Sequence, residues 1–390
     1  MSEKQVNQII GKIFNQLAET LETGEYGSKP KIGITSMGSE HGEENIIEAA
    51  IKAQKSGIEV TLIGTQTKEE VKLSQVATEE ETHKRMEELL NTKEIEAAVT
   101  MHYPFPIGVS TVGRIISPSK GKEMFIATTT GTSSTEKVEG MIKNAIYGII
   151  TAKACGIKNP TVGILNIDGA RQTEIGLKKL KEQGYDITFA ESQRADGGCI
   201  MRGNDLLMGS CDVMVMDSLT GNLMIKIFSS YTTGGNYESI GYGYGPGIGE
   251  NFDKLIMIIS RASGAPLVEG AIKYAAELVK GNCIGISKEE FQKANKAGLK
   301  EILSGLKANK KEAETEEVEA PKKEVVTSQI SGVEIMDLED AVKALWKRGI
   351  YAESGMGCTG PIILVNESKT NEAIKALADA DFISKEKLDC

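Results

Sequence analysis

Cys211-Asp212-Val213-Met214-Val215-Met216-Asp217-Ser218-Leu219-Thr220-Gly221-Asn222-Leu223-Met224-Ile225-Lys226 is the stretch whose reading decides the fold. Val213 to Met216 is a short apolar run between polar residues, the pattern of a strand buried on both faces. Asp217 to Asn222 reads as a sharp polar turn, and Leu223 onward reads as a helix. Strand, polar turn and helix make the repeating unit of an open parallel sheet. Ligands of such sheets sit beyond the carboxyl ends of strands, where helix N-termini offer free N–H groups to anions. Asp217, Thr220, Gly221 and Asn222 would stand there, with Lys226 near enough in sequence to add a positive charge. The same residues also fit an Asx/Thr cap that only satisfies the start of the helix.

Working outward, similar units recur. Lys31 to Ser36 is a strand, Met37 to Gly42 its turn and Glu43 to Ser56 a helix, and Ile58 to Gly64 is the next strand. This first turn lacks G-x-G-x-x-G, so it makes a weak dinucleotide site. His41 within it is either a phosphate or acid–base group or a solvated turn residue. Residues 67–98 read as charged helix, with His83 on a solvated face. Ala97 to Met101 is a strand leading into the stiff loop His102 to Gly108. Phe125 to Thr128 is a strand ending in the turn Thr129-Thr130-Gly131-Thr132-Ser133-Ser134. That turn offers hydroxyls to a phosphoryl or acyl group, or serves as a capping box between Ser133 and Glu136. Lys137 to Cys155 is a helix stopped by Gly156. Thr161 to Ile167 is a strand with Asn166 near its ligand edge.

Past the central stretch, residues 234–251 are rich in Gly and Tyr and read as a long loop able to cover a cleft or touch a carrier protein. Asp253 to Ser260 is a strand, and a helix runs from the Gly264 turn to Val279. Ala308 to Lys323 is dominated by charge and reads as a solvated linker. A helix at 336–348, a strand at 362–365 and a helix at 371–379 then make a small α+β piece. Four segments result: an amphipathic helix within 1–29, an α/β core over 30–307, a linker over 308–328 and a C-terminal α+β domain over 329–390. The core is expected to be a three-layer α/β/α assembly with two lobes around a cleft.

Composition narrows the function. The 390 residues carry 45 basic and 55 acidic side chains, a net charge of −10. That balance argues against nucleic acid as a partner and leaves anions to local clusters of N–H and basic groups. Six cysteines without paired metal spacing fit reduced thiols in the cytoplasm rather than a disulfide scaffold. No secretory pattern opens the chain, and no apolar run is long enough to span a bilayer. Three histidines without ligand spacing give no zinc site. No metal or organic cofactor is expected.

Thr161 to Ile167, Asp217 to Asn222, the turn Ser36-Met37-Gly38 and Gly264-Ala265-Pro266-Leu267 together resemble the phosphate acyltransferases over residues 30–280. The tail Glu353 to Pro361, with Asn366 to Lys369, is foreign to those enzymes. Core and tail together closely resemble the alpha subunits of component C of glycine (sarcosine, betaine) reductase complexes. The resemblance implies an enzyme that forms acetyl phosphate by phosphorolysis of an acetyl thioester. Its implied partners are a component C beta subunit and selenoprotein A, which delivers a carboxymethyl group on selenocysteine; phosphate is a substrate. It also implies that Cys358, in Gly-Cys-Thr-Gly, carries the acetyl group. A thiolate suits that role, although most free cysteines are small buried residues. Cys155, Cys199, Cys211 and Cys283 read as structural and Cys390 as exposed, with Cys199 the best rival thiol. Asn166, Asp217, Thr220, Gly221, Asn222, Lys226, Ser36, Gly38, Thr130 and Gly131 are the expected phosphate and substrate residues. Two other readings stay open: a stand-alone phosphate acyltransferase acting on an acyl carrier protein, and a non-catalytic docking subunit.

Overall fold

The computed structural model describes residues 11, 14, 29–68, 70–193, 197–306, 318–333, 337–357, 360–380 and 382–383. The amphipathic helix expected within 1–29 lies outside them, except for Gly11, Phe14 and Lys29. The chain forms two compact units, Met1–Ala297 and Gly298–Cys390.

The strands of the first unit are β1 (Lys31–Thr35), β2 (Glu59–Gly64), β3 (Lys72–Gln75), β4 (Ala97–Thr100), β5 (Val109–Ile116) and β6 (Glu123–Thr132). They continue as β7 (Thr161–Leu165), β8 (Thr188–Phe189), β9 (Ile200–Met201), β10 (Val213–Val215), β11 (Gly245–Ile248) and β12 (Ile256–Ile258). Its helices are α1 (Gly42–Gln54), α2 (Glu79–Asn91), α3 (Lys137–Ala154) and α4 (Ala170–Glu182). After them come α5 (Gly203–Met208), α6 (Ser218–Ser230), α7 (Ala265–Lys280) and α8 (Cys283–Lys296). All twelve strands join one sheet, in the order β3-β2-β1-β4-β12-β11-β5-β6-β10-β7-β8, with β9 added beside β7. One wing, β3 to β12, is parallel throughout. The other, β6 to β8 and β9, is parallel as well. Between them β11 and β5 are antiparallel to both neighbours, so the wings run in opposite senses.

Strand alternation makes the layers. On β6 the Ala127 side chain faces α3, where a Cβ on Gly148 would lie 3.1 Å from it. Its neighbour Ile126 faces α6, 3.4 Å from where a Cβ on Gly221 would stand. Consecutive residues of a strand point to opposite faces, so α3 and α6 cover opposite faces and the wing is a three-layer α/β/α assembly. Burying Ile225 of α6 against Ile126 and Met214 stabilises this layer, by about 1.5–3 kcal/mol for a fully buried side chain of that size.

Several local expectations change. The polar turn after β10 is shorter than its composition suggests, because α6 already starts at Ser218 with Asp217 as its N-cap. The Thr129-Thr130-Gly131-Thr132 segment is not a turn but the end of β6. Ser133 does not cap α3: its hydroxyl donates to Asn144 Oδ1 at 2.6 Å, and Glu136 holds the N-cap position. Charge along 67–98 hides β3, which pairs with β2 before α2 begins. Strand β5 does not stand out in the sequence, because Ser110, Thr111 and Arg114 break its apolar run. All three are buried nonetheless. Arg114 can be, because Glu123 and Glu277 pair with it and Tyr242 stacks 4.6 Å from its guanidinium. The Gly- and Tyr-rich stretch 234–251 is no free loop, since β11 lies within it and Tyr244 is 4% exposed.

The second unit holds β13 (Ser328–Ser331), α9 (Leu338–Lys347), β14 (Ala352–Gly357), β15 (Gly360–Val365) and α10 (Thr370–Asp379). Its antiparallel sheet runs β13-β15-β14. Ala341, Leu345, Ile350, Ile363, Val365 and Leu377 make a core of its own. The pairing of β14 with β15 runs up to Gly357 and Gly360. Cys358 lies outside the described residues.

Candidate active site

A cavity of about 610 Å³ opens in the first unit. The loop after β4 supplies His102, Tyr103 and Phe105. Ser260 and Arg261 come from the end of β12, Thr130 from the end of β6, and Asn222 and Lys226 from α6. Tyr244 and Glu40 complete the wall. Both wings of the sheet thus contribute to one cleft, and Lys226 and Arg261 bring its two cationic side chains.

Each side chain is held by the element behind it. Asn222 Nδ2 donates to Thr129 O at 3.1 Å, fastening the first turn of α6 to β6. The Thr129 hydroxyl donates to Tyr244 O at 2.7 Å and lies 2.7 Å from the Thr111 hydroxyl on β5. Helix α6 comes this close only because residue 221 is glycine, where a Cβ would stand 1.7 Å from Thr128 O. Lys226 Nζ lies 3.6 Å from Glu238 Oε1 and 5.6 Å from the centre of the Tyr244 ring. Arg261 Nη2 donates to Glu79 Oε1 at 2.7 Å, with both side chains half exposed. Gly38 leaves room for that pair, since a Cβ there would meet Glu79 Oε1 at 3.1 Å and Arg261 Nη1 at 3.5 Å.

Of the residues expected at the site, the structure brings Thr130, Asn222 and Lys226 together in the cleft. Gly38 borders it through Arg261. Asp217 is occupied elsewhere: Oδ1 accepts from Thr220 N and Oδ2 from the Thr220 hydroxyl, both at 2.9 Å, with Lys137 Nζ 3.9 Å away. Asp217 and Thr220 therefore complete each other as a helix cap. Ser36 is fully buried against Gly64 and Ile63. Gly131 has φ +81°, and a Cβ there would lie 2.6 Å from Val109 O, so it serves the β5–β6 approach. Asn166 is exposed after β7, with its backbone N–H on Met201 O, and does not line the cleft. His41 packs its ring edge-on to Tyr237 at 5.7 Å, with Nε2 3.3 Å from Ala262 O. Sequence reasoning missed Arg261, Ser260, Tyr244 and His102. The carboxyl-end rule applied to β12 would have found Ser260 and Arg261; only the sheet register brings Tyr244 in.

The described thiols are poor nucleophiles. Burial pushes Cys199 up to about 12, and the neighbouring Glu174 adds to the rise. Burial does the same to Cys211 and Cys283, each to about 12, and raises Cys155 strongly. Cys199, the rival thiol, is 4% exposed and donates to Glu174 Oε1 at 3.5 Å.

The sequence profile of a family described as fatty acid synthesis protein matches residues 30–364. The chain is 60% identical over 382 residues to the glycine/sarcosine/betaine reductase complex component C subunit alpha of Peptoclostridium acidaminophilum, covering 97% of this chain and 99% of that one. A phosphate acyltransferase of Halothermothrix orenii is 28% identical over 199 residues, covering 42% of this chain and 57% of that one. Among solved structures, a branched-chain phosphotransacylase from Enterococcus faecalis superposes with a TM-score of 0.45 at 14% identity, covering 64% of this chain and 99% of that one.

Proposed function

We propose that this chain, which belongs to the fatty acid synthesis protein family and within it to the component C alpha subunits of glycine/sarcosine/betaine reductase complexes, transfers an acetyl group from a thioester to phosphate. The observation that carries the reading is the 60% identity along 97% of the chain. Because that match includes nearly all of the C-terminal unit, it favours the reductase subunit over a stand-alone phosphate acyltransferase. Phosphorolysis of a thioester needs a held phosphate dianion, a nearby carbonyl and donors aimed at the developing oxyanion. In the cleft Lys226 and Arg261 bind the phosphate, while Asn222 and Thr130 orient it. Acetyl phosphate is the product.

Cys358 carries the acetyl group in this proposal. The strongly raised thiols of Cys155, Cys199, Cys211 and Cys283 weigh against those four as carriers, since the thiolate is the nucleophile, and leave Cys358 and the terminal Cys390; the resemblance favours Cys358. Selenoprotein A and a component C beta subunit are the proposed partners, and the cytoplasm the proposed compartment. Leu219, Leu223 and Ile227 of α6 and Tyr231 at its C-cap are 82%, 55%, 46% and 48% exposed, spaced four residues apart. An apolar stripe of that kind, beside Asn222 and Lys226, supports a protein partner at the cleft rim. Among the described residues no helix is long and apolar enough to cross a membrane.

Peptide mass spectrometry after incubation with acetyl phosphate tests the reading. One acetyl group should appear on Cys358, disappear on adding phosphate and be absent from Cys358→Ser. An unmodified chain that still exchanges phosphate with an added thioester would move the acyl carrier to a partner.

A further inference from the structure

Behind the cleft wall sits a carboxylate that lines no part of it. Glu238 has a side chain 5% exposed, and its backbone is fixed by Glu238 N donating to Ala262 O and Gly264 N donating to Glu238 O. Burying a carboxylate costs heavily unless it is paired and hydrogen-bonded. Glu238 recruits its partners from three separate elements. The Tyr244 hydroxyl donates to Oε1 at 3.0 Å, and the Ser263 hydroxyl to Oε2 at 3.4 Å. Ser260, whose backbone N–H donates to the Ser263 hydroxyl at 3.1 Å, belongs to the same turn, and Lys226 Nζ stands 3.6 Å from Oε1. Of its direct partners Lys226 and Tyr244 line the cleft, as does Ser260 beside Ser263. Burial raises the Glu238 carboxyl, opposed by Tyr244, Lys226 and the two serines, so these contacts act against desolvation.

Lys226 shows what this arrangement does. Its side chain is half exposed on α6, and a free lysine there would spread over many rotamers. The buried carboxylate at 3.6 Å and the Tyr244 ring at 5.6 Å confine its ammonium. An ammonium has three N–H donors, so one directed at Glu238 leaves two for an anion in the cleft. We propose that Glu238 is a positioning residue for the phosphorolysis, a buried strut that aims Lys226 into the cleft and ties it to Tyr244 and Ser263. This rests on the reading of the cleft as the phosphate site.

A double-mutant cycle on the full-length chain in its purified complex tests it, with phosphate as the varied substrate in acetyl-thioester phosphorolysis. Glu238→Gln, close in shape, should lower kcat/KM for phosphate about tenfold, a coupling ordinary for contacting groups, and leave the KM for the thioester unchanged. Lys226→Met should lower it at least as far, and in that background Glu238→Gln should cost nothing more. Tyr244→Phe, which removes only the hydroxyl on Oε1, should give a smaller loss that also vanishes beside Lys226→Met, and it keeps the test alive if Glu238→Gln fails to fold. Losses that multiply, or a Glu238→Gln enzyme with unchanged kcat/KM, would overturn the strut while leaving the phosphate site in place. A Lys226→Met enzyme with unchanged kcat/KM would overturn the site and the strut together.

Discussion

Two strand ends in the first unit share one sequence logic and end differently. After β10 comes Asp217-Ser218-Leu219-Thr220 and then the body of α6; after β12 comes Ser260-Arg261-Ala262-Ser263-Gly264 and then α7. At the first, Asp217 caps its helix with its own side chain, and Thr220 absorbs both carboxylate oxygens. At the second, Gly264 is the N-cap and makes no side-chain cap bond, so the polar residues before it turn outward. Ser260 and Arg261 reach the cleft, and Ser263 reaches Glu238. A polar residue at a helix start is thus consumed by that start when its own side chain can reach the N–H groups. Ligand candidates then stand before the cap, as Arg261 does, or within the first two turns after it, as Asn222 and Lys226 do.

Four substitutions and titrations sharpen that contrast, taken from the strongest effect downward. Gly221→Ala places a methyl group 1.7 Å from the Thr128 carbonyl, a backbone clash that no rotamer relieves. Overpacking of this kind costs about 3 kcal/mol or more, to be read from urea unfolding, with phosphorolysis lost as α6 moves off β6. A stable, active variant would show that α6 is not fastened there. Arg261→Ala should lower kcat/KM for phosphate about a hundredfold, the usual scale for removing one charge-stabilising donor, with little change in melting temperature, because its Glu79 partner is half exposed. Steady-state kinetics against phosphate decides it.

Asp217→Ala should do the reverse. It should cost about 1 kcal/mol of stability, as cap removal does, and leave the KM for phosphate where it was. A raised KM without destabilisation would return Asp217 to the anion site. The smallest effect concerns acid. Burial favours protonation of Glu174, Asp212 and Glu290, but Arg171 and Lys178, Thr161 and Lys122, and Lys293 and Lys153 respectively outweigh it and hold all three below the ordinary carboxylate range. A depressed folded-state pKa contributes stability that is present above the unfolded value, near 4, and is lost as pH falls through the folded value. Urea midpoints should therefore hold from pH 7 to about 5 and fall below about 4. Unchanged midpoints at pH 3 would mean these pairs form equally in the unfolded chain.

Much of the architecture was legible because burial writes a period into the chain. Val213-Met214-Val215 reads as a two-sided buried strand and is one, hydrogen-bonded in parallel to β6 and β7. Gly156 marks the end of α3, where its φ of +86° suits only glycine without strain. Within the second unit α9, α10 and β15 follow the apolar patterns read at 336–348, 371–379 and 362–365. Less legible were the elements whose polar residues find partners far along the chain. Strand β5 carries Arg114, made burial-worthy by Glu277, 163 positions away. The stretch 234–251 looks loop-like by composition, and only its pairing with β12 and β5 places Tyr244 in the wall of the cleft.

For the site, the sequence by itself determined the chemistry on offer: a lysine and an asparagine after a strand-and-turn unit, hydroxyls at another strand end, and anion-binding backbone groups. It could say that these lie at carboxyl ends of strands, because apolar runs and polar turns are local properties. Which of them face one cavity was decided by tertiary structure alone. The reversal of direction through β11 and β5 brings the two wings to the same cleft, the glycine at 221 lets α6 approach β6, and the buried Glu238 gathers residues from three elements. Those outcomes depend on register and on contacts between distant residues, and register is set by which side chains pack together rather than by any short stretch of chain.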